Sequence, residues 1–392
     1  MKLVEQDRCT GCSACVSVCP CHAIEMKPDS EGFRQPFVSA EKCVNCGRCL
    51  SVCPVTNPLP LPSILHCYAF RTSDRDLLLA STSGGAFSEL ARPILNEGGC
   101  VFGCKLERKG LRAIHAIAED EMALGELRGS KYVQSDMGNA LRECKGQLQA
   151  GRSVLFSGTP CQIAGLKTFL GKDYANLLCV EVICHGVASS ELLKKAVGEV
   201  EERQNATVTN IVFRNKDSEK RYSLRFSLKN RSEKRLPDVY YRDYFAAFAN
   251  NLSLRKSCYA CPFKDGRSGA DFTIADFWQV EKCGKGLEYG DGMSLVVVHT
   301  QKGVSVLDNL MQTESTRPFL CEVSAEDAFR GNPNYSRPSS RPPKNKRDRF
   351  MREFKNQPIG HLVNRLTHTP LIVRVLNRLK RELLNGRSLV KK

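Results

Sequence analysis

Two runs of cysteine constrain this chain more than any other feature. Cys9, Cys12, Cys15, Cys19 and Pro20 read C-x2-C-x2-C-x3-C-P, and Cys43, Cys46, Cys49, Cys53 and Pro54 repeat the pattern 34 positions later. Thiolates are soft ligands that suit iron-sulfur clusters, zinc or Cu(I). Zinc sites ordinarily take two separated C-x2-C pairs, four ligands in all. Three cysteines crowded into seven residues, twice over, suit a cubane, whose neighbouring irons each need a thiolate. A disulfide framework would need an oxidising compartment, and the opening MKLVEQDRC has no apolar run of a secretory signal.

The spacing is that of a bacterial two-cluster ferredoxin, in which the fourth cysteine of each run ligates the other run's cluster. It assigns Cys9, Cys12, Cys15 and Cys53 to one 4Fe-4S cluster. Cys43, Cys46, Cys49 and Cys19 fall to a second. Residues 1–62 are thus expected to form a small bacterial-ferredoxin-like domain for one-electron transfer. Its end is a stiff extended linker, Pro58-Leu59-Pro60-Leu61-Pro62.

A length of 392 residues with 42% hydrophobic residues allows two or three domains. No apolar run approaches the ~18 residues of a transmembrane helix, so the reading is a soluble, cytoplasmic protein. The net charge of +16 invites a nucleic-acid partner, but residues 331–392 carry 16 Lys/Arg against 3 Asp/Glu, a net of +13. The first 330 residues hold only the remaining +3, and no nucleic-acid partner is expected.

Residues 67–330 mix strand and helix signals. Residues 152–156 read as a strand, Ser157-Gly158-Thr159-Pro160 as a turn, and Cys161–Leu170 as a helix with Pro160 in its first turn. Leu177–Cys184 and Leu295–Val298 are nearly continuous apolar runs that suit buried strands. Tyr222–Leu228 alternates and suits a half-exposed one. The expected class is α/β, α+β overall, with a mixed or parallel sheet in the larger domain. Residues 331–392 read as a basic linker, solvated over Pro338–Lys344, and an amphipathic helix over Leu371–Leu384. That helix could lie on an anionic membrane surface, dock a partner, or be a solvated appendage.

A second set of cysteines sits in the larger domain. Cys161 opens a helix, where the macrodipole is expected to lower a thiol pKa. Cys184 ends a strand and precedes His185 and Gly186. Cys258 and Cys261 form Cys-Tyr-Ala-Cys-Pro. Together these four could bind a third 4Fe-4S cluster. They could equally be packed small residues, because C-x2-C alone is a weak motif. Cys100 and Cys104 read as buried strand thiols, and Cys21, Cys67, Cys144, Cys179, Cys283 and Cys321 as packing residues.

An ordered series of short motifs then carries a resemblance. It runs Ser81-Thr82-Ser83-Gly84-Gly85, Gly129-Ser130-Lys131-Tyr132, Gly158-Thr159-Pro160-Cys161-Gln162 and Cys184-His185-Gly186. It continues with residues 213–217, Cys258-Tyr259-Ala260-Cys261-Pro262-Phe263 and residues 271–278. Across residues 1–330 the chain resembles the coenzyme F-420 hydrogenase/dehydrogenase beta-subunit family, with a ferredoxin domain in front. The resemblance implies a larger flavin and Fe-S domain, with FAD and a third 4Fe-4S cluster on Cys161, Cys184, Cys258 and Cys261. It implies an oxidoreductase in which ferredoxin-type clusters and FAD exchange electrons, and FAD exchanges hydride with a small-molecule substrate. Coenzyme F-420 is one such substrate in the family, but nothing in the sequence specifies deazaflavin binding. Ferredoxin or a redox partner subunit would meet the N-terminal clusters. The alternative is a non-catalytic electron-transfer subunit of a larger complex. Candidate flavin contacts are Thr82, Ser83, Gly84 and Gly85 before a helix near Ala86, with Gly158, Thr159 and His185. Lys131, Lys216 and Arg267 could neutralise its phosphates, and the catalytic residues are unassigned.

Overall fold

The structure is a computed structural model and describes residues 3–107, 111–216, 219–312, 317–343 and 345–367. The N-terminal module pairs β1 (Ile24–Pro28) with β2 (Arg34–Val38) as an antiparallel hairpin, flanked by short helices Ala14–Val18 and Arg48–Ser51. The remaining strands are β3 (His66–Arg71), β4 (Cys100–Glu107), β5 (Arg112–Ala118), β6 (Val154–Gly158) and β7 (Leu177–Val182). After them come β8 (Thr207–Val212), β9 (Leu224–Lys229), β10 (Arg235–Tyr241), β11 (Phe272–Asp276), β12 (Ser294–Val298) and β13 (Phe319–Glu322).

Among the described residues, eight strands form one mixed sheet in the order β13-β3-β12-β11-β7-β6-β4-β5. β11, β7, β6 and β4 run parallel, and β12 is antiparallel to both β3 and β11. β3 therefore shares the sense of β11, and the carboxyl ends of β3, β11, β7 and β6 open on one rim. Helices cover both faces, which is why the strands read as unbroken apolar runs. On one face Phe102, Phe156 and Leu177 pack with Ile163 and Leu166. On the other, Val101, Leu155, Val180 and Val296 pack with Leu90 and Leu307. β8–β10 form a separate sheet whose core includes Leu193 and Phe245 together with Phe350 and Leu362 from the C-terminal helices.

The helix expected over Cys161–Leu170 starts one residue earlier, on Pro160, and Gln162 Oε1 accepts from the Thr159 N–H at 2.9 Å. The fold class read from sequence holds: a small ferredoxin-like module on a larger α/β body. The tail departs from expectation. Ser339, placed in a solvated run, is buried, and its hydroxyl donates to the His185 carbonyl at 2.5 Å. Helices Lys346–Glu353 and Ile359–Thr367 pack onto the body. Composition misread this stretch because its basic residues alternate with apolar anchors such as Phe350 and Met351 that have a distant surface to cover. The stretch Leu371–Leu384 lies outside the described residues.

The module is docked through its own carbonyls. Arg142 Nε donates to Ser17 O (2.9 Å) and Nη2 to Val16 O (2.8 Å), capping the helix Ala14–Val18. Thr168 Oγ1 donates to Val52 O at 2.8 Å, and Gln134 Nε2 to Thr10 O at 2.9 Å.

Candidate redox centre

Each cysteine run folds around a hollow. Cys9, Cys12, Cys15 and Cys53 line the first, together with Cys49, which lines both hollows. Cys19, Cys43, Cys46 and Cys49 line the second, together with Cys21, which the spacing had left as a packing residue. Gly11 (φ 71°) and Ser13 (φ 63°) take left-handed conformations, which turn successive thiols toward one side. A Cβ at Gly11 would fall 2.7 Å from Gln134 Nε2, so the turn and the docking both require glycine. The Ala23 N–H points at Cys19 Sγ at 3.3 Å, the kind of donor that steadies a metal-bound sulfur. Each site has two buried cysteines, but Cys12 of the first lies against Gly165 of the body while Cys46 of the second is exposed, so the first site is inner and the second outer.

Burial and then neighbouring thiols push Cys15 up to about 12 and Cys12 well above its ordinary value. Such sulfurs ionise when a bound cation compensates them. Among the described residues, no three His, Cys, Asp or Glu side chains gather as they would around one ion. Thiols spread around a hollow match a cluster with an iron at each corner. The donor set fits 4Fe-4S clusters.

The second cysteine set also meets. Cys161 lies in the first helical turn after β6, Cys184 just past β7, and Cys258 and Cys261 on the short turn Lys256–Ala260 and directly after it. Cys161 feels Cys261 and Cys258, and Cys184 feels Cys258, Cys161 and Cys261. A Cβ on Gly186 would stand 3.4 Å from Cys258 Cβ. Three separate segments thus bring four thiols to the rim of the sheet, where open α/β sheets place their sites. Cys161 corrects the expectation of a lowered thiol pKa: burial pushes it up to about 12, outweighing the helix terminus and the Thr159 hydroxyl 3.2 Å away.

The candidate flavin contacts divide. Thr82 Oγ1 accepts from the Ser130 N–H at 3.1 Å, joining the loops Ser81–Gly85 and Gly129–Lys131. Lys216 Nζ donates to Ser83 O at 3.2 Å and to Asp291 O. Gly84 is wedged against the sheet, where a Cβ would fall 2.3 Å from Phe70 O. Gly85 (φ 89°) caps the eleven-residue helix Ala86–Asn96. Lys131 Nζ instead donates to Glu126 O, Leu127 O and Arg128 O at 2.9, 3.0 and 2.9 Å, ending the helix before it. Burial lowers both Lys131 and Lys216 to about 8. Gly158 lies beside Gln162 and His115. His185 has both ring nitrogens engaged, by Asn251 Oδ1 (2.7 Å) and Asn334 Nδ2 (3.0 Å). Arg267 is exposed on the turn after Cys261.

Other polar residues escaped the sequence reading. Arg214, nearly buried, donates to Asp276 Oδ2 at 2.6 Å and lies 4.8 Å over the Trp278 ring, which stacks on Tyr289. Buried His115 bridges Ser135 Oγ (2.9 Å) and Ser157 O (3.0 Å). Arg214, Asp276 and Trp278 were visible inside the matched motifs, but spacing assigned them no role.

Fold and thiols together define an iron-sulfur redox protein. Residues 151–317 match the family model for the C-terminal part of the coenzyme F420 hydrogenase/dehydrogenase beta subunit, and residues 8–57 match the 4Fe-4S dicluster domain. Residues 151–317 thus carry the C-terminal part of that beta-subunit family, and a 4Fe-4S domain lies N-terminal to them. No curated protein matches the chain. Among solved structures it is similar to a chain of the F420-reducing NiFe hydrogenase complex from Methanosarcina barkeri. That likeness has 16% identity and a TM-score of 0.45, over 78% of this chain and 91% of that one. Among the described residues, no helix is long and apolar enough to cross a membrane.

Proposed function

We propose that the chain is an iron-sulfur flavoprotein oxidoreductase. Two 4Fe-4S clusters in the module exchange electrons with a third on Cys161, Cys184, Cys258 and Cys261. The loops Ser81–Gly85 and Gly129–Lys131 would hold FAD, which would supply hydride exchange with a small-molecule substrate. One observation carries this reading. The helix Pro160–Leu170, which carries Cys161, rests its Gly165 on Cys12, so closely that a Cβ there would stand 2.8 Å from Cys12 Cβ. The inner module site and the second thiol set are thereby in direct succession.

FAD, when bound, would supply the conversion between single electrons and hydride. The residues fit an anionic dinucleotide: a helix N-terminus at Gly85, the cation of Lys216, and the buried Arg214 Nε, which lacks a partner. Ferredoxin or a partner oxidoreductase would meet the module at the exposed Cys46.

Anaerobic purification should give a brown protein with about twelve irons, from three four-iron clusters, and a releasable flavin. About eight irons and no flavin would overturn both the third cluster and FAD. The description of the matched family as a subunit favours a second reading, an electron-transfer subunit without its own substrate. Turnover of the isolated chain with an artificial donor, screened against coenzyme F-420 and nicotinamides, separates the two.

A further inference from the structure

Arg255 is a buried cation with no counter-ion among the described residues. It is 2% exposed and lies three residues before Cys258. Its Nε donates to the carbonyl of Cys9 at 2.7 Å, and its Nη1 to Arg34 O and Gln134 Oε1, each at 3.0 Å. All these acceptors are neutral, and Nη2 has no hydrogen-bond partner among the described residues. The ring below it is Phe33, 5.6 Å from the guanidinium carbon. Its main chain is bound to the other site: the Cys258 N–H donates to Arg255 O at 3.0 Å. One residue therefore ties a ligand of the inner module site to a ligand of the second thiol set. Its charge also acts on the Cys161 and Cys258 sulfurs.

A buried guanidinium facing only neutral partners is costly. A nearby anion offsets that cost, and a cluster held by four thiolates is an anion that grows more negative on reduction.

Resting on the three-cluster reading above, we infer that Arg255 is the positioning residue of the inter-cluster step. It clamps the inner module site to the second thiol set and favours the electron's arrival there. In that step the inner cluster is oxidised by one electron, the third is reduced by one, and no proton moves. Arg255 touches the peptide of Cys9 and the thiol environment, never the substrate. It acts through charge and spacing.

The test is a reductive titration of the full chain, followed by electron paramagnetic resonance, on wild type, R255Q, R255K and Q134E. The third cluster's signal is the one lost in C184S. In R255Q the iron content should hold while that signal's midpoint moves negative. A tenfold loss of electron affinity corresponds to about 59 mV for a one-electron couple. R255K should restore most of the shift. Q134E sets a carboxylate against Nη1 and should move the midpoint the same way. If R255Q loses iron, Q134E decides: a negative shift supports the inference and an unmoved midpoint overturns it. If wild type holds about eight irons and lacks the C184S-sensitive signal, the three-cluster reading fails first and this inference with it. If the signal is present and ignores both substitutions, this inference alone fails.

Discussion

Arg347 grips Glu31 with two parallel hydrogen bonds, Nη1 to Oε1 and Nη2 to Oε2, each 2.5 Å. The arginine belongs to a C-terminal helix and the glutamate to the hairpin loop of the N-terminal module. The same guanidinium donates to Leu254 O at 3.1 and 2.8 Å, directly before Arg255. Its side chain is 1% exposed. A bidentate pair with its remaining donors satisfied is the geometry in which a buried ion pair holds.

Removing one partner leaves the other buried and alone. R347M should cost about 3 kcal/mol, the order found when a buried pair is broken. Urea unfolding followed by the visible cluster absorption checks this. The module should also become more sensitive to protease than the body, and a loss confined to the body would contradict the clamp.

Gly165 sets the approach of the helix to Cys12. G165V forces the module outward or the helix back, because both Cys12 Cβ and Sγ lie within 3.0 Å of the added carbon. Iron content should fall, beginning with the inner cluster. G198A is the control: its Cβ meets nothing within 4 Å in the helix Ser190–Gln204, and it should gain about 0.5–1 kcal/mol.

Glu181 is buried in β7, accepting from Thr273 Oγ1 at 2.7 Å while its Oε2 lacks a partner. Burial raises its pKa from 4.5 to about 7, against the Ser268 and Thr273 hydrogen bonds. The folded state then holds more protons than the unfolded state between pH 4.5 and 7. Stability therefore falls as pH rises through that window. E181Q should remove this slope, matching wild type near pH 4.5 and exceeding it near pH 8 by on the order of 3 kcal/mol. Denaturant melts at the two pH values, with both proteins in the same cluster-loading state, measure it. A parallel slope in E181Q would refute the assignment.

The helix Ile359–Thr367 and the Arg347 clamp hold the described C-terminal residues to the body. Deleting residues 368–392 should leave iron content and melting unchanged, because the Arg347 clamp and the helix Ile359–Thr367 remain. Deleting residues 335–392 should cost both, since it also removes Ser339 from His185. Binding of the shorter deletion to anionic liposomes tests the membrane reading of Leu371–Leu384. Binding equal to that of the full chain would end it.

Local chemistry was legible in the sequence, and distant chemistry was not. The two cysteine runs announced a 4Fe-4S domain by spacing alone, and Leu295–Val298 announced a strand buried on both faces. Pro160 marked the start of its helix to within one residue. Cys161 was misjudged because a helix terminus is a local signal, whereas burial depends on what the whole fold places over it. Arg347 was unreadable for a similar reason: its partner lies 316 positions away. Arg255 is 246 positions from the Cys9 carbonyl it holds, and no periodicity or composition connects them. Lys131 had a conspicuous motif and a local use, capping a helix, that its motif concealed.

The docking of the module has a consequence for biosynthesis. Chains emerge from the ribosome N-terminus first, so both cysteine runs appear before any residue that will hold them against the body. Gln134 and Arg142 follow, then Gly165 and Arg255, and Arg347 comes nearly last. Throughout that interval the inner hollow faces the surroundings with its thiols accessible. A cluster delivered to the first run before Arg347 is made would be held against the body only once the C-terminal helices close on Glu31 and Leu254.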